Sequence, residues 1–464
     1  MEDKKSVVSF LGLILGVAAC IIIWNLDIAN LSVDGQKALA LIVMTIIWWT
    51  TSAMPAPFSA AAVLLCFTLL LDSAVVPPSS IFNLWVTPIA YLVISGFLIA
   101  EAVKRSGLAK RLALWFIKTF IRSYNGIIIA CYLLGLILSV AIPHPWPRSF
   151  LILSFIPFIV EAANLDKKWF APICLAIFAG SAPTSMIFFT GDSTMNPLVG
   201  QFADYTMTWT KWFLMMGVPG IIATVLMCAT QIKIFGKPDK FAIVPEKVGV
   251  ELKALGKITA QEIKCAIVVI LALLMWVTDS LHGIHPGWIA LGAVVLMAMP
   301  FMKLVDPSAF SSVNVGTLLF MTAAMGIGAV ASASGLSQWL VDVAVPSSIT
   351  ENPFLFAIIA CLLCMVLHMI MGTSLTVLII TSPIIVAMAQ AAGLPAVAGT
   401  AIAYIALSQH WILPFHSMTI VVGMGAHEDS FSNKDAIKLG IPQTVSVFII
   451  AFAAIAWWKI IGIV

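Results

Sequence analysis

The sequence predicts an all-α polytopic membrane protein of about 11 transmembrane helices plus two re-entrant hairpins, arranged as two inverted repeats. Three observations carry that expectation. Hydrophobic residues make up 61% of the 464 positions and charged residues only 10%, a balance that would leave a soluble domain covered in apolar patches. The chain also echoes itself: Ser106-Gly107-Leu108 returns as Ser334-Gly335-Leu336, and Gly217-Val218-Pro219 as Gly440-Ile441-Pro442. Finally, the basic residues between apolar runs gather in the loops of one side, as a cytoplasmic excess of Lys and Arg requires.

The elements follow in chain order. Met1 to Lys5 is charged and leads directly into an apolar run without a small-residue cleavage site, so it reads as the cytoplasmic end of a retained first span. Runs long enough to cross about 30 Å of hydrocarbon lie at 6–26, 37–54, 55–72, 86–103, 169–190, 209–233, 264–281, 287–304, 313–333, 395–422 and 439–460. Two further apolar stretches, 124–161 and 353–392, are interrupted near their middles by Pro143-His144-Pro145-Trp146-Pro147-Arg148 and by Met371-Gly372-Thr373-Ser374. Each reads as a hairpin that dips in and returns, because irregular backbone at that depth survives only where it is buried in protein or lines a cavity. On this map the external loops hold no Lys or Arg, and the hairpins enter from opposite sides. Residues 107–122 alternate basic and apolar side chains at helical spacing and predict an interfacial helix on the inner leaflet, with a second amphipathic stretch at 336–348.

The repeat shifts, 334 − 106 = 228 and 440 − 217 = 223, divide the chain. Residues 1–82 form a pre-repeat scaffold, 83–235 the first repeat, 236–310 a linker loop with two connecting helices, and 311–464 the second repeat. Such duplication in an apolar chain is characteristic of secondary transporters.

Candidate functional residues cluster at the breaks. His144 and Arg148 flank the proline-rich interruption, where a helix N-terminus and an intramembrane cation would attract an anion; the alternative is that Arg148 pairs with a carboxylate or backbone carbonyls and braces the hairpin. Thr373, Ser374 and Thr376 supply hydroxyls at the matching break, with helix packing through small residues as the alternative. Interruptions are also expected at Ser181-Ala182-Pro183-Thr184 and across 190–197, where Asp192, Ser193, Thr194 and Asn196 gather, and across 408–419, where His410, His416 and Ser417 lie. Asp192 serves equally as a helix cap, and the two histidines as satisfied core residues.

Other classes are excluded. There is no His-Glu-x-x-His, Gly-x-Ser-x-Gly or Gly-x-x-x-x-Gly-Lys pattern, so neither an enzyme nor ATP-driven transport is expected. A net charge of +3 gives no case for nucleic acid. Cys361 and Cys364 form a Cys-x-x-Cys within an apolar run, with no second pair or nearby His at zinc spacing, and predict core packing; no metal site or cofactor is expected.

The layout of hairpins, interfacial helix and unwound segments resembles the divalent anion:sodium symporter family over nearly the whole chain. Gly191 to Asn196 resembles that family's Gly-Thr-Pro-Pro-Asn turn, and Ser408 to Gly423 its C-terminal signature. The resemblance implies a homodimeric, elevator-type carrier of small divalent anions in a lipid bilayer, with Na+ as a candidate coupling ion. Family members carry Ser-Asn-Thr at both hairpin tips, whereas this chain has Pro143-His144-Pro145 and Gly372-Thr373-Ser374. That departure turns the expectation toward anion exchange across a bacterial cytoplasmic membrane, with sodium-coupled dicarboxylate or sulfate symport as the alternative.

Overall fold

The computed structural model describes residues 2–464 except 52, 143, 154–155, 164, 239–240, 242–244, 345–351, 372–373 and 413–415. Among the described residues there is no β-strand. Helices α1 (Glu2–Trp24), α2 (Val33–Thr50), α3 (Ala56–Leu70) and α4 (Pro78–Ile81) come first. They are followed by α5 (Pro88–Ser106), α6 (Leu108–Phe120), α7 (Tyr124–Ala141), α8 (Pro145–Leu153), α9 (Ile156–Ala162), α10 (Phe170–Ile187), α11 (Asn196–Phe202) and α12 (Trp209–Phe235). A middle segment holds α13 (Pro245–Ala254), α14 (Ala260–Val277), α15 (Asp279–His282) and α16 (Pro286–Ala298). The remainder is α17 (Val315–Ala333), α18 (Leu336–Ala344), α19 (Pro353–Met371), α20 (Ser374–Ala391), α21 (Ala396–Gln409), α22 (Met418–Met424) and α23 (Asn433–Ile460).

The sequence echoes land at corresponding places. Gly107 and Gly335 both adopt left-handed backbone, φ +82° and +78°, each following a long helix and preceding a short amphipathic one. Pro219 and Pro442 both lie inside long helices, α12 and α23. Local signals set other boundaries: Ser432 and Asp435 form a reciprocal cap at the start of α23, and Thr259 with Glu262 does the same for α14. Pro300 ends α16 at Ala298, short of the expected 304, because the residue before a proline is pushed out of helical backbone.

Helices α10, α12, α14, α17, α20 and α23 are long and apolar enough to cross a bilayer. On α14, Ile263, Ile267, Ile270, Leu271 and Leu274 are exposed while Cys265, Val268, Ala272 and Trp276 are buried. That apolar stripe on the outside is what a lipid-facing helix presents. Helix α6 is amphipathic as expected, with Leu112 and Trp115 exposed and Leu114 buried; Arg111 forms an ion pair with Glu262 at 2.7 Å, and that carboxylate holds the guanidinium above its usual pKa.

The two interrupted stretches are each described as a pair of helices, α7 with α8 and α19 with α20, and residues 143 and 372–373 between them lie outside the described residues. Helices α19 and α20 fold back on each other: the Cys364 thiol reaches Thr381 Oγ1 at 3.8 Å, a pair placed symmetrically about residues 372–373. Helix α20 is itself among the helices of spanning length.

The expected interruption at Ser181-Ala182-Pro183-Thr184 is corrected. Helix α10 runs through Pro183 to Ile187, and the chain unwinds only over 188–195. Side chains satisfy the backbone there: Thr184 Oγ1 donates to the Gly180 carbonyl at 2.8 Å, Ser185 Oγ to that of Ser181 at 2.6 Å, and Arg148 Nη2 also donates to the Ser181 carbonyl at 3.3 Å. Pro183 removes the helical donor of the Ala179 carbonyl, and these bonds serve the two carbonyls that follow it.

Candidate functional site

The helix breaks converge on a cavity of about 690 Å³. One side is formed by the first break (His144, Pro145, Trp146), the unwound segment after α10 (Asp192, Thr194, Met195), the start of α20 (Ser374, Leu375, Thr376) and the α21–α22 break (Ser408, Ser417, Thr419). The cavity's lining also includes Trp49, Met54, Pro55 and Pro57 from the α2–α3 region and Asn314, Thr317 and Phe320 from α17 and its cap. The wall therefore carries mainly hydroxyls and aromatic or proline surface. Trp146 Nε1 donates to Thr419 Oγ1 at 3.3 Å and ties the first break to the start of α22.

The structure brings His144, Asp192, Thr194, Ser374, Thr376 and Ser417 to this wall. His144 Nδ1 accepts from the Trp146 amide at 3.3 Å, and its ring packs 4.9 Å from Phe97. Asp192 Oδ1 accepts from the Thr194 hydroxyl, from the Thr194 amide at 2.9 Å and from the Met195 amide at 3.2 Å. The carboxylate thus holds the turn that leads into α11 while lying on the cavity wall.

Arg148, Ser193, Asn196, His410 and His416 lie behind it. Arg148 is fully buried: Nη1 donates to the carbonyls of Ile142 (3.3 Å) and Gly191 (3.2 Å), and Nη2 to Ser181 O (3.3 Å) and Ser185 Oγ (2.6 Å). No carboxylate among the described residues stands within ion-pair distance of it. Ser185 itself is on the wall, so the guanidinium sits one side chain back from the cavity. Asn196 donates to the carbonyls of Ser185, Phe188 and Phe189 at 2.9–3.2 Å and fastens the unwound segment. Its Oδ1, the Ser193 hydroxyl and Arg148 Nε are buried without a partner among the described residues. Thr373 lies outside the described residues.

Sequence reading missed His368 in the last turn of α19. Its Nδ1 lies 3.1 Å from His410 Nδ1 and its Nε2 is 3.0 Å from the His416 carbonyl, and all three histidines are almost fully buried. Tyr404 and Asn314 were also missed as wall residues. A single imidazole within an apolar run is the signal that could have marked His368.

Residues 7–464 match the protein family described as the sodium:sulfate symporter transmembrane region. A membrane protein of Cupriavidus necator is 26% identical, with 97% of this chain and 93% of that protein covered. The sodium-dependent dicarboxylate transporter SdcS of Staphylococcus saprophyticus is 25% identical over 73% of this chain and 71% of its own. Among solved structures, the YdaH transporter of Alcanivorax borkumensis aligns over 98% of both chains with a TM-score of 0.53 at 14% identity, a likeness of fold.

Proposed function

The chain belongs to the sodium:sulfate symporter family, and on that premise we propose that it is a secondary active transporter of small divalent organic anions, of the C4-dicarboxylate, 2-oxoglutarate or citrate class, working by elevator-type anion exchange. Membership makes it a multi-pass membrane transporter, not an enzyme. The observation that carries the reading is the meeting of helix breaks at one cavity of about 690 Å³, within the usual 300–1,000 Å³ of small-ligand sites. Its hydroxyls at Ser374, Thr376 and Ser417 and the imidazole of His144 are hydrogen-bonding groups for a carboxylate. Arg148 adds positive potential from one side chain behind.

The matched element order, Gly107 with Gly335 and Pro219 with Pro442, supports division into repeats at 83–235 and 311–464 beside the 1–82 scaffold. We take the repeats as inverted, the connections from α7 to α8 and from α19 to α20 as hairpin tips, the N-terminus as cytoplasmic and the carrier as a homodimer of a bacterial cytoplasmic membrane.

A second reading, sodium-coupled symport of a dicarboxylate or sulfate, is favoured by the buried, unpartnered oxygens of Ser193 and Asn196, which are hard donors of the kind a small cation takes. It is also favoured by the sodium dependence named for the staphylococcal relative. Uptake into proteoliposomes, with and without internal unlabelled dicarboxylate and with and without a sodium gradient, separates them. Exchange requires internal anion for uptake; sodium-driven accumulation into empty vesicles overturns it.

A further inference from the structure

We propose that His368, His410 and His416 form a binding site for a divalent transition-metal ion of the zinc class, and that the ion fastens the end of α19 to the α21–α22 break.

The three imidazoles come from elements 42 and 48 residues apart in the chain. Their ring centroids stand 4.9–5.5 Å apart, the His368 ring tilted by 54° to His410 and 30° to His416 while the latter two lie at 26°, and one nitrogen from each lies within 4.8 Å of the other two. A point shared by three such atoms is at most about 2.8 Å from each, the separation divided by √3, against a zinc–nitrogen bond of about 2.0–2.1 Å. Each ligand atom has to move inward by about 0.7 Å, a shift within reach of side-chain torsions.

The protonation pattern favours the same conclusion. A carbonyl oxygen only accepts, so His368 Nε2, 3.0 Å from the His416 carbonyl, carries the hydrogen. That fixes the tautomer and leaves the Nδ1 lone pair facing His410 Nδ1, whose hydrogen it accepts at 3.1 Å and whose place a metal ion would take once His410 moves its proton to Nε2. Donation of the second ring N–H to a backbone carbonyl is the arrangement that orients metal-binding histidines. The Ser374 hydroxyl also donates to the His416 carbonyl, at 3.3 Å, and secures that acceptor from the cavity wall.

The donor set names the class of ion. Three neutral nitrogens with no carboxylate suit Zn2+, Co2+, Ni2+ or Cu2+ and are poor ligands for Na+, Mg2+ or Ca2+. Three protein ligands leave one tetrahedral position for solvent. An ion held there keeps its full charge behind Ser374 and Ser417, where it would raise the attraction of the cavity for an anion.

The test uses full-length protein purified without a histidine tag and stripped with a chelator. It is titrated with Co2+, read by its d–d absorption, and then challenged with Zn2+. The expected result is one Co2+ per chain in a tetrahedral spectrum, displaced by Zn2+. Affinity should be at least tenfold weaker in His368→Gln and in His410→Gln, and unchanged in His427→Gln. His368→Cys should retain the ion and add a thiolate-to-cobalt band, which guards against a variant that merely misfolds. A wild-type protein silent to both metals, or a signal that persists in the His368→Gln/His410→Gln double variant, overturns the site. No step of this measurement involves transport, so its outcome is separable from that of the exchange assay.

Discussion

Arg148 Nη2 stands 2.6 Å from Ser185 Oγ, and that hydroxyl in turn donates to the Ser181 carbonyl at 2.6 Å. The arginine thereby holds α8, the first break and the proline-containing turn of α10 as one unit, and Ser185 presents the far end of the chain of bonds to the cavity. An ammonium cannot reach four acceptors spread over Ile142, Ser181, Ser185 and Gly191 in the fixed fork a guanidinium provides. Arg148→Lys should therefore lower stability by about 1–3 kcal/mol, read as thermal melting of the anion-free protein in detergent. A purely substrate-binding arginine would leave that melting temperature unchanged and shift only its response to added anion.

Asp192 holds a turn and lines the cavity, and substitution can separate its oxygen from its charge. Its Oδ1 holds the amides of Thr194 and Met195, a job that an asparagine oxygen does as well. Asp192→Asn should melt within about 0.5 kcal/mol of the parent, and Asp192→Ala about 1 kcal/mol below it. With the turn intact, any change in anion affinity of Asp192→Asn reports the missing charge on the wall. Equal melting of the Asn and Ala forms would dismiss the capping role.

Much of this arrangement was legible in the chain. The separation of α7 from α8 and of α19 from α20 follows from prolines and small residues inside apolar runs, and α6 follows from its amphipathic spacing. What stayed hidden depended on partners without a sequence signature. That Arg148 braces the hairpin is an alternative the sequence leaves open, but its acceptors, the carbonyls of Ile142, Ser181 and Gly191 and the Ser185 hydroxyl, have no signature in the chain, and α10 runs on through Pro183 with hydroxyls and that same arginine on the carbonyls of Gly180 and Ser181. His368 meets partners 42 and 48 positions away, a convergence that no spacing rule encodes. The Ser181–Thr184 reading failed for the first of these reasons: proline rules assume that no outside donor repairs the ladder.

His285 provides a pH test outside the spanning segments. It caps α16 with Nδ1 accepting from the Gly287 amide at 3.0 Å, and burial pushes its pKa down to about 4 against the opposing pull of Asp279. Between its unfolded value near 6.5 and about 4, the unfolded chain binds the proton and the folded chain does not. Stability should thus fall as pH drops through that window and level off below it. The loss is on the order of 1–2 kcal/mol for a half-buried ring. His285→Asn keeps a capping side chain without the titration, so its melting curve should lack this component; parallel curves would rule out His285 as its source.

The repeated Gly-x-Pro frame makes the last prediction, because its two copies look alike in sequence and meet different surroundings. A Cβ at Gly440 would lie 1.9 Å from the Trp411 carbonyl oxygen and 2.6 Å from its indole, whereas one at Gly217 would meet ring carbons of Phe213 at 3.2 Å. Phe213 is 40% exposed and can turn aside. Trp411 is buried, donates to the Ala436 carbonyl at 3.2 Å and follows His410 directly, so its backbone has nowhere to go. Gly440→Ala should cost about 1–3 kcal/mol through overpacking. Gly217→Ala should be near neutral, or gain up to about 1 kcal/mol from the better helix former. Because Trp411 opens the segment that carries His416 and Ser417, Gly440→Ala should also slow anion uptake more than its lower yield of folded protein explains. Melting temperatures and uptake per folded molecule, measured on both variants, decide it: a Gly440→Ala protein with parental stability would show that α23 can draw back from the break, and that this contact does not set the position of the cavity wall.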